Sequence, residues 1–313
     1  MAGAAGVALA GVVLAGGRSS RMGAPKAALE WHGSTLLRRT VGIVARATEG
    51  PVIVVRASGQ PLPELPPGIV VVDDPRPGKG PLQGIAAGLA AVADLSNRAD
   101  PAGRGGLADF DAAGGCPEFA FVSSTDLPFL HPAFIRLVLR LLREDGADVA
   151  LPVARGFRQP LAAGYRVSLA PSVDRLVAAD RLRPAFLFDE CAVSLLDEAR
   201  LRRDPALAAV DPDLDSVVNV NEPADYQAAR SRPAPVVTVR VLSPAPRPDP
   251  PVTVRAVRAA TVQAAAAAVG LTLGRDVTVA LNGRPAGQDG GLPLATGDAV
   301  AFSPSAGSQG SPS

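Results

Sequence analysis

The sequence has few cysteine and histidine residues, and this scarcity limits the sites that it can contain. Its 313 residues include two cysteines, Cys116 and Cys191, and two histidines. Two cysteines so far apart do not form a disulfide framework or a zinc site, and a reducing compartment is the simplest interpretation. No Ser–His or Cys–His arrangement for nucleophilic catalysis is visible. We therefore expect a cytoplasmic protein whose chemistry uses other side chains.

Net charge and long hydrophobic runs are also scarce. A net charge of +1 gives no general attraction to nucleic acid or to a membrane surface. The uncharged first seventeen residues lack the basic start of a signal peptide, and they are too short for the roughly 20 apolar residues of a membrane span. We expect no nucleic-acid or membrane partner, so any anion must be recognised by a local cluster of cations.

Hydrophobic content is ample, at 47%, and the length predicts two domains. Apolar residues alternate between helical spacing and short continuous runs, which predicts an α/β domain with a mostly parallel sheet. Ile69 to Val72 is fully apolar, as is typical of a central strand covered on both faces. The main predicted elements are helices at 36–48, 83–94, 132–144 and 168–179 and strands at 52–55, 69–72 and 149–153, with a further strand from Phe119.

A glycine loop follows the first predicted strand. The adjacent Gly16 and Gly17 allow a tight turn whose N–H groups approach an anion, and the loop adds the cations Arg18, Arg21 and Lys26. Its spacing fits neither a P-loop nor the dinucleotide-binding Gly-x-Gly-x-x-Gly pattern. It predicts a phosphate site, although an ordinary βα turn with solvated arginines remains an alternative.

Two further loops follow predicted strands. Asp73-Asp74 precedes Gly80-Pro81-Leu82-Gln83-Gly84, which without a ligand would be a proline-stiffened connection before a helix. Asp126 ends the strand from Phe119 and would suit Mg²⁺, which takes one or two protein carboxylates together with substrate phosphates. The alternative for Asp126 is a turn aspartate that caps the backbone before Pro128.

Together these loops resemble a known family. Residues 14–26 read Leu-Ala-Gly-Gly-x-Ser-x-Arg-Met-Gly-x-x-Lys, and they are followed in order by Gly-Pro-Leu-x-Gly, Asp-x-Pro and, at 219–223, Asn-Val-Asn-x-Pro. This series resembles the molybdenum cofactor guanylyltransferases over about residues 11–230. The resemblance implies a three-layer, Rossmann-like nucleotidyltransferase domain. One departure is Val55-Arg56-Ala57, where these enzymes commonly have Asn after the second strand.

The resemblance also implies the roles of individual residues. Asp126 would bind Mg²⁺, with Asp215 as a further candidate. Asn221 also has a structural alternative as the cap of a helix at Pro223, and Arg181 and Arg183 could be a solvated helix end. The implied sets are catalytic Arg21, Lys26 and Asp126; nucleotide-binding Leu14, Ala15, Gly16, Gly17, Lys26, Asp74, Gly80, Pro81, Leu82, Gly84 and Asp126; and acceptor-binding Arg181, Arg183, Asn219 and Asn221.

The C-terminal part has a ββαββ pattern. Thr261 caps a predicted helix at 262–269 that Gly270 stops, and Asn282-Gly283 favours a type I′ turn. The pattern resembles the small α+β domain of the β-grasp (ubiquitin-like) sulfur carriers, including the small subunit of molybdopterin synthase. Those proteins end in Gly-Gly, whereas this chain continues past Gly307. A docking role towards other molybdenum cofactor biosynthesis proteins is therefore favoured over sulfur transfer.

The expected organisation is a nucleotidyltransferase domain at 1–231 with a mobile insertion at about 94–118, a linker at 232–235, a β-grasp domain at 236–304 and a flexible tail at 305–313. The expected function is Mg²⁺-dependent transfer of GMP from GTP to the phosphate of molybdopterin or molybdenum cofactor, with release of pyrophosphate. The Leu-Ala-Gly-Gly form favours GTP. Alternatives are a cytidylyltransferase that uses CTP, and a non-catalytic nucleotide-binding scaffold or carrier. The oligomeric state and the recipient enzyme stay open.

Overall fold

The computed structural model describes residues 8–16, 25–76, 78–98, 116–242 and 252–305. The chain divides into two compact units, one formed by Met1–Leu29 and Leu36–Tyr226 and the other by Glu30–Thr35 and Gln227–Ser313. The boundary at Tyr226 and the predicted one at residue 231 fall in the same helix, Pro223–Ser231.

The strands and helices are numbered in chain order. The strands are β1 (Leu9–Leu14), β2 (Glu30–Trp31), β3 (Ser34–Thr35), β4 (Val52–Ala57), β5 (Val70–Asp74), β6 (Phe119–Ser124), β7 (Val149–Ala154), β8 (Phe157–Arg158), β9 (Ala162–Arg166), β10 (Val193–Asp197), β11 (Val236–Leu242), β12 (Val252–Arg258), β13 (Val277–Leu281), β14 (Arg284–Pro285) and β15 (Ala299–Pro304). The helices are α1 (Leu36–Thr48), α2 (Pro81–Arg98), α3 (Pro132–Glu144), α4 (Ala170–Ala178), α5 (Pro184–Phe188), α6 (Glu198–Arg202), α7 (Pro205–Val210), α8 (Pro223–Ser231) and α9 (Val262–Ala268), with 3₁₀ turns at Lys26–Ala28, Val167–Leu169 and Asp215–Val217.

The first unit is built on one large sheet with the strand order β10-β7-β9-β6-β1-β4-β5. The pairs β1–β4, β1–β6, β4–β5 and β7–β10 are parallel, whereas β9 runs antiparallel between β6 and β7. The sheet is thus mostly parallel, as the sequence predicted.

Helices cover both faces of this sheet. On one face, Val12 and Leu14 of β1 share a buried apolar cluster with α2 and α4. On the other face, Phe121 of β6 meets Phe134 of α3 edge to face, and Gly11 lies directly under Val44 of α1. Because successive strand residues point to opposite faces, every buried strand contributes to both cores.

The match between predicted and observed helices is good where local signals are strong. Helix α3 begins at Pro132, whose missing N–H costs nothing at the first helical position. His131 precedes it, and its Nδ1 accepts a hydrogen bond from the Ala133 N–H at 3.1 Å. His131 is therefore a helix cap.

Two glycines bring α2 close to β1. A Cβ at Gly88 would lie 2.3 Å from Val12 Cγ1, and one at Gly84 would lie 3.1 Å from both methyl groups of Leu14. These glycines are four residues apart and share one side of the helix. Glycine at both positions lets the amino end of α2 pack against the end of β1, where the first loop begins.

The prediction of a central strand at 69–72 was wrong. Strand β5 is the edge of the sheet, and its residues alternate between half-buried and exposed, with Val71 39% exposed. A fully apolar run suits either position in the sheet. In the structure β5 pairs with β4 along one side and ends the strand order, which makes it the edge strand.

The first residues of the predicted insertion are helical. Helix α2 continues to Arg98, so residues 94–98 are helical, and Cys116 is exposed where the described chain resumes. Residues 99–115 lie outside the described residues, as does the tail from residue 306.

The second unit contains a sheet with the strand order β12-β11-β15-β13-β14, in which β11 and β15 are parallel and the other pairs are antiparallel. Helix α9 begins as predicted at Thr261, whose side chain accepts from the Ala264 N–H at 3.2 Å. Asn282 and Gly283 have φ values of 52° and 81°, as a type I′ turn requires. One face of the sheet and α9 form a separate apolar core.

In the part of the chain that the structure describes, none of the helices has the length and apolar character needed to cross a membrane.

Candidate functional site

The carboxyl ends of the parallel strands β1, β4 and β6 meet at one edge of the large sheet. The chain runs from β1 outward to β4 and β5, and then returns to the opposite side of β1 as β6. The strand order therefore reverses between β1 and β6. In open α/β sheets, ligands bind outside the carboxyl ends of strands at such a reversal.

Asp126 lies at this reversal, in the turn that follows β6. Its Oδ1 accepts a hydrogen bond from the Ser124 hydroxyl, and its Oδ2 is 4.0 Å from Lys26 Nζ. The Asp126 and Lys26 side chains are each 20% exposed. The backbone of the turn is tied to β1 through the Thr125 N–H, which donates to the Leu14 carbonyl at 3.3 Å. Asp126 is thus a held carboxylate that solvent can still reach.

Lys26 joins two segments that are distant in sequence. Its Nζ donates to Asn221 Oδ1 at 3.2 Å, in addition to its approach to Asp126. The segment that carries Asn221 is fixed beside the turn, because the Val220 N–H donates to the Asp126 carbonyl at 2.9 Å. The structure therefore brings Lys26, Asp126 and Asn221 together.

The interpretation of Asn221 as a helix cap was wrong. The N–H groups of Asn221 and Glu222, which precede α8, both donate to Asp225 Oδ2 at 3.0 Å each, so the Asp225 side chain in the first turn holds the segment that enters the helix, while Asn221 Oδ1 accepts from Lys26. Asn219 is exposed, and its side-chain amide donates to the Val217 carbonyl at 3.4 Å.

Asp215 is engaged in a different contact. Its Oδ1 accepts from Arg155 Nη2 at 2.8 Å, and the same guanidinium donates to the Asp213 carbonyl at 3.1 Å. The adjoining turn is held by the buried Asp211, which accepts from the Asp215 and Ser216 N–H groups. The Asp215 carboxylate therefore fixes the β7–β8 hairpin to this segment, which weakens its candidacy as a metal ligand.

The first loop is described up to Gly16 and again from Pro25. Gly17 and Arg21, which the sequence assigned to nucleotide binding and catalysis, lie outside the described residues. The Ala15 and Gly16 N–H groups both donate to the Val55 carbonyl, at 2.8 and 3.3 Å. A Cβ at Gly16 would lie 3.1 Å from the Ala57 nitrogen, so glycine allows this close approach of two backbones.

Gln60 links the ends of β1 and β4, and it was not identified from the sequence. Its Nε2 donates to the Ala15 carbonyl at 3.0 Å, and its Oε1 accepts from the Ala57 N–H at 3.1 Å. Arg56, the residue noted as a departure from the family, is paired with Asp73 at 2.7 Å. No spacing signal marks Gln60, because its role depends on the pairing of β1 with β4.

The second loop leads into α2. Asp74 Oδ1 accepts from the Arg76 N–H at 2.9 Å, and Gly80 has φ of 98°, a conformation that favours glycine. A Cβ at Gly80 would be 3.4 Å from the Leu182 carbonyl oxygen. Pro81 is the first residue of α2 and Leu82 is fully buried, so this loop is fixed between the helix and the segment around Leu182.

Arg181 and Arg183 therefore border the second loop. Arg181 donates to Glu190 Oε1 at 2.5 Å, and its guanidinium lies 4.5 Å from the centre of the Phe186 ring. Hydrogen bonds from Arg175 and Arg181 lower the pKa of Glu190 below its usual value. Arg183 is exposed immediately before α5. Arg181 thus already has an anionic partner.

Asp126 offers carboxylate oxygens, which are the kind of ligand that hard cations such as Mg²⁺ take. Among the residues that the structure describes, no three His, Cys, Asp or Glu side chains gather into a metal cluster. Mg²⁺ keeps several waters and binds one or two carboxylates together with substrate phosphates. The single accessible carboxylate of Asp126 fits that mode of binding.

Comparison with known proteins places the large sheet in a family. A model of the MobA-like NTP transferase domain matches residues 11–193. A protein of Mycobacterium tuberculosis named probable molybdenum cofactor guanylyltransferase is 37% identical over 224 residues, which cover 71% of this chain and 93% of the relative. A Mycobacterium avium protein of the same name is 34% identical over 222 residues, or 70% and 94% of the two chains.

A solved structure also resembles this one. The crystal structure of molybdopterin-guanine dinucleotide biosynthesis protein A from Archaeoglobus fulgidus aligns with a TM-score of 0.51 and 19% sequence identity, and covers 71% of this chain and 96% of that one. At this level of identity, the likeness concerns the fold alone.

Proposed function

Since this chain belongs to the MobA-like NTP transferase family and is a nucleotidyltransferase, we propose that it transfers GMP from GTP to molybdopterin. The acceptor would be the phosphate of molybdopterin or of its metal-loaded form, and the second product would be pyrophosphate. The names of the mycobacterial relatives support this choice. The observation that carries it is the meeting of Lys26, Asp126 and Asn221 at the reversal point of the sheet.

Two sides of this edge would hold the two substrates. The end of β1 and the amino end of α2, with Leu14, Gly16, Gly80 and Gly84, would hold the nucleotide, because phosphates bind at the carboxyl ends of strands and at helix amino ends in open α/β sheets. Asn219 and Asn221 would face the acceptor. Arg181 borders the second loop and donates to Glu190, so it would contact a substrate phosphate only if the phosphate displaced Glu190.

The proposed step is one displacement at phosphorus. An oxygen of the acceptor phosphate forms a bond to the α-phosphorus of GTP while the bond to the bridging oxygen breaks, and pyrophosphate leaves with that electron pair. The acceptor oxygen is already ionised near neutral pH, so no protein base is required. The chain's task is to position both substrates and to neutralise charge.

Lys26 is suited to this task. Its ammonium is held between Asn221 Oδ1 and the Asp126 carboxylate, so its position is defined before substrate arrives. A preorganised cation stabilises charge that develops in the transition state without the cost of reorganisation. Asp126 would hold Mg²⁺, which when bound would neutralise phosphate oxygens of the nucleotide.

Turnover tests the proposal. The purified chain is incubated with molybdopterin, Mg²⁺ and each nucleoside triphosphate in turn, and dinucleotide products are identified by mass. Product from GTP alone supports the proposal, product from CTP replaces it with a cytidylyltransferase, and no product from any triphosphate leaves a non-catalytic nucleotide-binding protein.

Asp126→Asn tests the role of the carboxylate. We expect turnover to fall by about 100-fold or more, as for the loss of one preorganised electrostatic contact. Asp204→Asn is the matched control, because Asp204 is also a partly buried, ion-paired carboxylate, with 15% of its side chain exposed. Asp204 caps α7, a role that asparagine keeps. Normal turnover by Asp126→Asn would contradict the assignment.

We further propose that the C-terminal unit contains a β-grasp domain that docks other molybdenum cofactor biosynthesis proteins. Support comes from the strand order β12-β11-β15-β13-β14 with a parallel central pair and one helix against the sheet. The edge strand β12 exposes 57% of Val254. Val254→Asp in the full chain should weaken binding to a molybdenum cofactor biosynthesis protein, as titration calorimetry would measure. Unchanged binding would contradict docking through this edge.

A further inference from the structure

Phe157 is the aromatic side chain whose exposure stands out. It is 73% exposed, whereas Phe119, Phe121, Phe134, Phe302 and Tyr165 are fully buried. It follows the two-residue turn Arg155–Gly156, whose φ values of 55° and 80° are typical of a type I′ hairpin. A large apolar ring presented to solvent on a tight hairpin is a candidate for contact with a ligand.

The strand pairing places this hairpin beside the candidate site. Val153 of β7 pairs with Asp197 of β10 and also with Arg158 of β8. A strand pairs along two edges, and β10 occupies one edge of β7, so β8 occupies the other edge, along which β7 also pairs with β9. Because β9 lies between β7 and β6, β8 is in line with β9, and neighbouring strand positions such as those of β9 and β6 are about 4.8 Å apart.

The height of Phe157 along the strands is also defined. In the antiparallel ladders, Ser123 of β6 pairs with Ala162, and Ala150 of β7 pairs with Gly164. Ser123 is therefore level with Pro152 of β7, and two residues further along both strands Thr125, which precedes Asp126, is level with Ala154 at the end of β7. Phe157 pairs with Ala154, the last residue of β7, and therefore lies at that level.

Phe157 is on the acceptor side of the sheet. A Cβ at Gly164 would meet Leu142 of α3 at 3.1 Å, so Gly164 and its partner Ala150 point to the α3 face. Alternation puts Ala154 and its partner Phe157 on the same face. The segment that ends at Asn221 is attached to the start of α3, because Ser216 Oγ accepts from the His131 N–H at 3.1 Å.

The hairpin is held firmly in this position. The Arg155 N–H donates to Glu198 Oε1 at 2.7 Å, and its guanidinium pairs with Asp215 at 2.8 Å. Gln159 Nε2 donates to the Ala154 carbonyl at 3.1 Å. The exposed ring is thus carried by a preorganised support, which reduces the entropy that binding would cost.

We propose that Phe157 is a stacking platform for the planar pterin ring of the acceptor. This inference rests on the proposed function, since it concerns the acceptor of that reaction. A fixed, exposed ring at the level of Asp126 and on the side of Asn221 matches a flat heterocycle whose phosphate must reach the nucleotide. Stacking of a heterocycle on an aromatic side chain weakens when the aromatic ring of the protein is removed, and it persists when another aromatic ring replaces that ring.

Substrate kinetics and direct binding test the inference. Phe157→Ala should raise KM for molybdopterin by roughly 10-fold and leave KM for GTP unchanged, and Phe157→Trp should restore the acceptor KM. Leu195→Ala is the matched control, because Leu195 is a 50% exposed apolar side chain in the middle of β10 of the same sheet. It should leave both KM values unchanged.

Binding of molybdopterin without nucleotide, followed by pterin fluorescence, should weaken by the same factor in Phe157→Ala. Equal binding by wild type and Phe157→Ala would overturn the stacking role even if turnover is normal. Wild-type protein that neither turns over any triphosphate nor binds molybdopterin would overturn the proposed function, and the stacking role with it.

Discussion

Replacement of Asn221 separates a structural role from a functional one. As a helix cap, Asn221 would be replaced by serine without loss, because serine and asparagine cap equally well. In the structure, however, Asn221 Oδ1 accepts from Lys26 Nζ at 3.2 Å, and Asp225 Oδ2 accepts from the Asn221 and Glu222 N–H groups. Serine ends one atom short of the Asn221 oxygen and would not reach Lys26. Both Asn221→Ala and Asn221→Ser should therefore misplace Lys26.

The magnitudes follow from these contacts. A hydrogen bond to a charged group contributes about 1.5–3 kcal/mol, and solvent access to Lys26 favours the lower end. About 1.4 kcal/mol corresponds to a tenfold change in rate, so kcat should fall about tenfold in both variants. The free energy of unfolding should change by less than about 0.5 kcal/mol, as for surface positions outside a cap. Asp225→Ala removes the acceptor of the Asn221 and Glu222 N–H groups and should cost about 1 kcal/mol.

Steady-state kinetics and thermal unfolding are the two assays. About 1 kcal/mol shifts the unfolding midpoint by roughly 2–4 °C in a domain of this size, so only Asp225→Ala should show a clear shift. Wild-type kcat in Asn221→Ser, together with a lowered midpoint in Asn221→Ala, would refute the reasoning and restore the cap interpretation.

Three further predictions concern packing, the first loop and thiol reactivity. Gly88→Ala should lower the free energy of unfolding by about 1–2 kcal/mol, because its Cβ would lie 2.3 Å from Val12 Cγ1 and overpacking outweighs the gain in helix propensity. Gln60→Ala should raise KM for GTP about fivefold, since it loses both hydrogen bonds that tie the ends of β1 and β4, as steady-state rates would show. Burial raises the pKa of Cys191 to about 11, so it stays a thiol at neutral pH and should react with maleimide more slowly than the exposed Cys116, as timed mass spectra would show.

Each of these has a control in the same chain. Gly274→Ala should be neutral in thermal unfolding, because nothing lies within 4 Å of its Cβ, and equal stability of the two alanine variants would contradict the packing argument. Gln60→Glu keeps the acceptor for Ala57 but loses the donor to Ala15, so an intermediate KM is expected, and a wild-type KM in both would remove Gln60 from the site. Cys116→Ser leaves Cys191 as the single thiol, and rapid labelling of that variant would contradict its low reactivity.

Local signals in the sequence account for most of the elements. Helices α1 and α3 begin and end where apolar spacing and Pro132 predicted, and Thr261 caps α9 as expected. The edge position of β5 was predicted wrongly, because an apolar run reports burial and not the order of strands. Gln60 went unnoticed for a related reason, since its partners at the ends of β1 and β4 become neighbours only when those strands pair.

The sequence by itself determined the alternation of helices and strands, the glycine loops at strand ends and the carboxylate of Asp126 after β6. These features depend on residues close together in the chain, and so their spacing reveals them. Only the tertiary structure decided that Lys26 meets Asn221, 195 positions away, and that Asp215 belongs to Arg155. Contacts of this kind depend on which strands lie side by side, because the order of strands in the sheet brings the distant loops to one edge.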